Sequence, residues 1–339
     1  MNGIRQNKTC GESHRCLRMA MAFVPLLSLF GMICSPVRAG EVRLFIGFFP
    51  NITHAHALIA QNMAADGEGW FETRLPDVKI TWHSFNAGPS AMEAVFANAV
   101  DMTYVGPSPA LNAFVRAKGE GVRVLRGAVR GGSGLVIRDN ETMRTALDFT
   151  GKRIATPQLG NTQDIACRGW LAAAGLKVTP TGGDVRILPV ANADMLALMI
   201  RGDIDAAWTV EPWLSHLERE GKARILYLEP PEHAVTTILA TGMVFAKKHP
   251  ELVAAVAAAH DELTAWIIEH PEEAKKRVAA ELTRLMKRPF PAEIVERAWP
   301  RLVFDTAIST DDFKTFLNAA RAAGFVRGEP SLGGLVTPP

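Results

Sequence analysis

The sequence predicts an α/β protein of two lobes, each a mixed, largely parallel sheet flanked by helices. Three observations lead there. Strand-like runs alternate with helix-like ones through most of the chain, which is the grammar of βαβ units. The alternation restarts after a glycine-rich stretch that holds Gly131, Gly132 and Gly134. About 300 residues follow the N-terminal leader, more than a single hydrophobic core usually serves. A hydrophobic fraction of 48% with 21% charged residues fits an ordered globular chain.

The chain begins with Arg5, Lys8, Arg15 and Arg18 ahead of an uncharged run, 19–37, that holds Phe23, Leu26, Leu27, Leu29 and Phe30. This is the pattern of a secretion signal. Gly31, Ser35 and Pro36 break the apolar part too early for a membrane span, and small residues precede Gly40, where a peptidase would cut. Residues 1–39 are therefore set apart as a cleavable signal peptide, which points to export into the periplasm. Lipidation at Cys34 is the alternative, against a poor lipoprotein box at Gly31, Met32 and Ile33. Beyond the leader there remain 32 basic and 34 acidic residues, a net charge of −2. The basicity of the whole chain thus belongs to the leader, and nothing in the rest points to nucleic acid or an anionic membrane. Cys167 is then the last cysteine, with no intrachain partner, and reads as a small buried hydrophobe.

Within the first unit, runs 42–49, 79–85, 101–105 and 122–129 read as strands, with helices at 90–99 and 108–118. Within the second, strands at 153–156, 185–190, 206–210 and 224–228 alternate with helices at 162–174, 194–201 and 212–220. The chain crosses between units at 130–134 and returns near 235–242, so two crossings form a hinge. Alanine-rich helices over 250–285 would pack on the first lobe. The division is 40–130 with 243–339 for one lobe and 131–242 for the other.

Helices in this pattern begin just past strand ends, at short polar loops. Ser90 with Glu93 three residues on has the form of a capping box. Ser108 followed by Pro109 has the form of an N-cap with proline at the first helical position. Thr162, with Gln163, opens a helix after Gly160 and Asn161, and Asn51 stands in a comparable loop after the first strand. Each cap alone is explained by helix initiation. Their convergence on one cleft would place several unpaired N–H groups and positive dipole ends around an anion. Trp208, Glu211 and Trp213 form the other unusual stretch, read either as the wall of a pocket for an organic tail or as core tryptophans beside a helix start.

Signatures of catalysis are scarce: there is no HExxH, no paired CxxC, no phosphate-binding loop with Lys and Ser/Thr, and no GxSxG around Ser108. His54 and His56 are two residues apart without a further placed ligand, and read as solvated or capping side chains rather than a metal site. No cofactor, metal or catalytic residue is expected.

With those residues in hand, the sequence resembles the nitrate, taurine and aliphatic sulfonate binding proteins of ABC importers. The matching runs are GFFPNITH from Gly47, FNAGPSA from Phe85, GPSP from Gly106, ATPQLGNTQD from Ala155, GDID from Gly202 and EPW from Glu211. The resemblance implies a type II periplasmic-binding fold that closes on a ligand and docks on a membrane permease and, through it, the ATPase. It places Asn51, Ser90, Ser108, Gly132, Thr162 and Gln163 in the cleft, with Trp208, Glu211 and Trp213 at its edge. A monomer binding a small oxyanion, sulfonate or taurine-like, is the expectation. Nitrate or bicarbonate, a thiamine-precursor pyrimidine held by the tryptophans and Glu211, and a biosynthetic enzyme on the same fold are the alternatives. Cys167 and Gly169 depart from the bulkier residues usual in relatives, which leaves pocket volume open.

Overall fold

The structure, a computed structural model, describes residues 42–337 apart from Asn140 and His233; the expected signal peptide lies outside the described residues. The first sheet starts with β1 (Val42–Phe48), then α1 (Ala55–Ala65), α2 (Trp70–Arg74), β2 (Val78–Ser84), α3 (Gly88–Phe96), β3 (Met102–Val105), α4 (Pro107–Arg116) and β4 (Val122–Gly131). A second sheet follows, through β5 (Ser133–Arg138), β6 (Arg153–Thr156), α5 (Thr162–Ala173), the short pair β7 (Val178–Thr179) and β8 (Gly182–Gly183), and β9 (Arg186–Pro189). It is completed by α6 (Asn192–Arg201), β10 (Ala206–Val210), α7 (Trp213–Glu220) and β11 (Ala223–Leu228). The chain then returns to the first sheet with β12 (Val235–Gly242), α8 (Met243–Lys248), α9 (Pro250–Glu269), α10 (Pro271–Met286), α11 (Ala292–Ala298), β13 (Leu302–Phe304) and α12 (Asp312–Ala322).

Strand order is β13-β4-β12-β3-β1-β2 in one sheet and β11-β5-β10-β6-β9 in the other. Both sheets are mixed. The βαβ portions pair in parallel, β1 with β2 and β3, and β6 with β9 and β10. The strands on the crossing side, β4, β5, β11, β12 and β13, pair antiparallel, so the antiparallel share exceeds the expectation. β12 pairs with β3 and β4, which puts the second crossing between Leu228 and Val235.

Side-chain alternation decides what each sheet face covers. Leu135 and Ile137 point to the face under α5, with Ile154, Leu171 and Trp208, whereas Val136 points to the face under α6 and α7, with Met195, Leu214 and Leu217. In the first sheet, Leu44, Ile46 and Phe48 pack under α1, α9 and α10, and Val105 with Val124 packs under α3, α4 and α12. Each such fully buried side chain stabilises the fold by about 1.5–3 kcal/mol. β5 is a strand that the sequence reading took for a bare crossing. Its Gly134 sits between β10 and β11, where a Cβ would come within 2.4 Å of the Tyr227 carbonyl oxygen, so glycine here reflects close strand approach.

Helix α12 lies across both lobes. Ala319 and Ala320 pack against α5 near Ile165 and Gly169, while Phe313 and Phe316 join the core under α4. No helix among the described residues is long and apolar enough to cross a membrane.

Candidate ligand site between the sheets

The loops leaving the carboxyl ends of the strands in one sheet meet those of the other. Past β3, the Ser108 backbone N–H donates to the Thr162 Oγ1 at 3.4 Å, and past β2, the Ser90 hydroxyl donates to Gln158 Oε1 at 3.1 Å. The Asn86 amide donates to the Pro157 carbonyl at 3.4 Å. Past β1, Asn51 Oδ1 accepts from Trp213 Nε1 at 2.7 Å. Of the residues expected at one cleft, Ser108 meets Thr162 and Asn51 meets Trp213 across the two sheets, while Ser90 reaches Gln158; Asn51 and Trp213 line the neighbouring cavity, and Ser90, Ser108 and Thr162 do not.

The local helix starts differ from the expectation. α3 begins at Gly88 with Ala87 as N-cap, which leaves Ser90 inside the first turn with its hydroxyl spent on Gln158, so the capping box with Glu93 does not form. α4 begins at Pro107 after Gly106, because the first of the two prolines already has the φ that a helix start needs. Ser108 is consequently the second helical residue, buried, with a hydroxyl that has no partner. The cap of α5 is Asn161, whose Oδ1 accepts from the Asp164 N–H at 2.9 Å, rather than Thr162.

Beside these contacts lies a cavity of about 300 Å³ lined by Asn51, Asn86, Asn192, Trp213, Met286 and Arg288, together with Pro50 and Ala193. Four strand ends supply it: Asn51 follows β1, Asn86 follows β2, Asn192 opens α6 after β9, and Trp213 opens α7 after β10. Because the Asn51 carbonyl oxygen is taken by Trp213, and that of Asn192 by the Thr209 hydroxyl at 2.6 Å, both side-chain NH₂ groups remain as donors. α6 starts without a side-chain cap and carries Asp194 in its first turn, outside the cavity lining. Arg288, in the loop between α10 and α11, is exposed and adds a guanidinium. Among the described residues no carboxylate lines this cavity. Donors and one cation around an apolar wall of Trp213 and Met286 suit an anionic head carrying an organic tail.

Sequence reasoning missed Asn86, Asn192 and Arg288. Asn86 stands inside the FNAGPSA run and was within reach of that signal. Arg288 arrives from a segment far along the chain, and nothing local marks it.

Other expected residues lie elsewhere. Gly132, with φ +64, is packed at the crossing, where a Cβ would come within 2.2 Å of Leu302 Cδ2. Gln163 is buried and accepts from the Asn161 amide at 3.1 Å. Trp208 points into the core under α5, away from the cavity. Glu211 is fully buried: its carboxylate accepts from Arg301 at 2.7 Å and from the Ser215 hydroxyl at 3.0 Å, so it is not an open acceptor at the cleft edge. Burial pushes its pKa up, outweighing the opposing pull of Arg301. Arg301 also reaches Glu218 at 3.0 Å, and Arg297 reaches the same carboxylate at 3.1 Å, so side chains of the α11–β13 segment clamp α7. His54 and His56, expected to be solvated or to cap a helix, are both buried; His54 stands at the N-cap position of α1 but makes no side-chain cap bond. The His54 ring packs on Phe49 and accepts from its N–H at 3.4 Å, and His56 bonds Thr264 at 2.9 Å and stacks on His260. His54 is thus covered by its own loop at Phe49, and His56, in the first turn of α1, by α9. Cys167 is buried in the core under α5, and Gly169 borders α12, so neither changes the volume of this cavity.

The sequence matches the NMT1-like family over residues 38–283. An Escherichia coli protein named for aliphatic sulfonate binding is 28% identical over 161 residues, 46% of this chain and 47% of its own. The taurine-binding periplasmic protein of the same organism is 28% identical over 183 residues, 52% of this chain and 54% of its own. The chain thus spans about half the length of these curated relatives. Among solved structures, the alkanesulfonate-binding protein SsuA from Xanthomonas axonopodis pv. citri, bound to MOPS, superposes with a TM-score of 0.73 at 22% identity, covering 88% of this chain and 99% of that one. The periplasmic nitrate-binding protein NrtA from Synechocystis PCC 6803 superposes at 0.69 with 16% identity, covering 84% and 83%. The two-lobe periplasmic-binding fold is the one these structures share with it.

Proposed function

The chain belongs to the NMT1-like family, and from that premise we propose that it is the periplasmic receptor of an ABC importer, capturing a small organic oxyanion between its lobes. The observation that carries this reading is the cavity at the strand ends, where amide donors and Arg288 surround a space bordered by Trp213 and Met286 and free of carboxylates. The apolar border of Trp213 and Met286 favours a guest with an organic tail, an alkyl sulfonate or a taurine-like molecule, over a bare nitrate or bicarbonate. The relatives named above, for sulfonate and taurine binding, support the same class.

In this reading the two sheets, each with its own helices, act as the two bodies, hinged at Gly131–Gly132 and at the second crossing between Leu228 and Val235; the return strand β12 belongs to the first body, so the boundary expected at residue 242 moves back to that crossing. Each body holds part of the donors, Asn51, Asn86 and Arg288 on one and Asn192 on the other, so affinity develops on closure. The receptor is exported, works as a monomer, delivers its guest to a membrane permease coupled to an ATPase, and performs no chemistry on it. The pyrimidine reading loses its support because Glu211 is already engaged by Arg301 and Ser215.

The test is a thermal-shift and calorimetric screen of alkyl sulfonates, taurine, nitrate, bicarbonate and phosphonates on the purified protein, with product analysis of the same samples. A sulfonate that raises Tm and is recovered intact is the expected result. A flat screen, or turnover of the guest, contradicts the proposal.

A further inference from the structure

A second cavity, of about 480 Å³, lies between α5 and α12, well along α5 from the cleft end of that helix. Its wall is aromatic. Trp170 and Tyr227 stack with centroids 6.2 Å apart, and Trp208 meets both, at 5.7 and 5.6 Å. At the edge of this wall stands one carboxylate, Glu229, half-buried just past β11. Burial pushes the Glu229 carboxyl up, against the pull of two buried donors that face it, the Ser133 hydroxyl and Trp208 Nε1. The Glu229 backbone N–H is tied to the Ser133 carbonyl at 2.9 Å, which holds the side chain at this place. Small residues line the opposite side, where α5 and α12 approach closely: Gly169, Ala172 and Ala173 on α5 and Ala319 and Ala322 on α12.

Aromatic faces carry negative potential and attract cations, and a desolvated carboxylate does so more strongly. We propose that this cavity is a second ligand site, separate from the cleft, for an organic cation whose ammonium head pairs with Glu229 and whose apolar body lies along Trp170 and Tyr227. The chemistry is opposite in sign to that of the cleft, whose cavity holds Arg288 and amide donors. A guest here touches α5 of one lobe and α12, which also packs under α4, so it stabilises the contact between them. The inference stands on its own geometry and does not need the cleft to bind an anion.

The full chain is titrated with benzyltrimethylammonium and, as a neutral match in shape, benzyl alcohol, following intrinsic tryptophan fluorescence and Tm. The expected result is saturable quenching by the cation, weaker binding of the alcohol, and a loss of at least about tenfold in cation affinity in Glu229→Gln, which keeps shape and removes the charge. Ala322→Leu, which narrows the cavity from α12, weakens both probes, and the Tm of each variant without probe shows that it is folded. Absence of saturation in the wild type, or equal cation affinity in wild type and Glu229→Gln, overturns the proposal. Equal binding of alcohol and cation overturns the charge class.

Discussion

At the scale of single residues, the decisive side chain is Arg288. It is exposed and packs little, so its replacement tests charge rather than folding. Arg288→Gln should weaken binding of the preferred anion about ten- to hundred-fold, the worth of a charge-assisted hydrogen bond, and should flatten the salt dependence of affinity; calorimetry at two ionic strengths reads both. Gly132 carries a different burden. Its φ of +64 and the approach of Leu302 leave no place for a Cβ. Gly132→Ala should cost about 1–3 kcal/mol in urea unfolding. Asn51, Ser108 and Thr162 could be picked out from the sequence as polar residues after strands, and of the three Asn51 lines the cavity. Their partners could not, since the Ser108–Thr162 contact joins positions 54 apart in the chain.

At the scale of elements, the clamp on α7 explains why Glu211 tolerates full burial. The carboxylate is desolvated, and Arg301 with Ser215 compensates. Arg301→Met removes the compensating cation and should destabilise by about 3–5 kcal/mol. A carboxyl whose folded pKa lies above its unfolded one contributes stability at low pH that is lost as pH rises through the folded value. The penalty in Arg301→Met should therefore be larger at about pH 8 than at about pH 5, in matched urea titrations. Helix α12 depends on a second close approach, since a Cβ on Gly169 would meet Ala319 Cβ at 2.7 Å. Gly169→Leu should lift α12 from α5 and raise hydrogen exchange across Asp312–Ala322, with the exchange of β1 unchanged. Most strands and helices of both units were legible within a few residues, because apolar periodicity is local. β5 was not, because glycines in a strand read as a turn; β13 is only three residues long, and α12, though as long as α4 or α6, stands apart from the strand–helix alternation that guided the reading.

At the scale of the whole molecule, three buried imidazoles link folding to pH. Burial lowers His54 to about 3 and His260 to about 4, and lowers His56 as well, with His260 and His54 adding repulsion. The facing groups are Tyr104, whose hydroxyl meets His260 at 3.0 Å, Thr264, and the Gly127 carbonyl at 2.8 Å. Asp261 and Arg126, paired with each other at 2.9 Å, act on His260 in opposite senses. A histidine held neutral contributes stability that is full above its unfolded pKa of 6.5 and is lost as pH falls toward the folded value. Stability should therefore drop between about pH 6.5 and 4, by up to about 1.4 kcal/mol per pH unit for each imidazole. The urea midpoint followed against pH measures it, and His260→Asn should reduce the slope.

Local pattern along the chain was enough for the α/β class, the two-lobe plan, the order of most elements and the polar loops that follow the strands. Each of these follows from local pattern: period, capping chemistry and strand-end position are written over a few adjacent residues. Only the tertiary structure decided which of those loops share a cavity, that Arg288 joins them, that Trp208 and Glu211 are committed to a core and an ion pair, and that both histidines are buried. Those outcomes depend on contacts between residues far apart in sequence, and a chain's one-dimensional pattern carries no record of which distant surfaces close on one another.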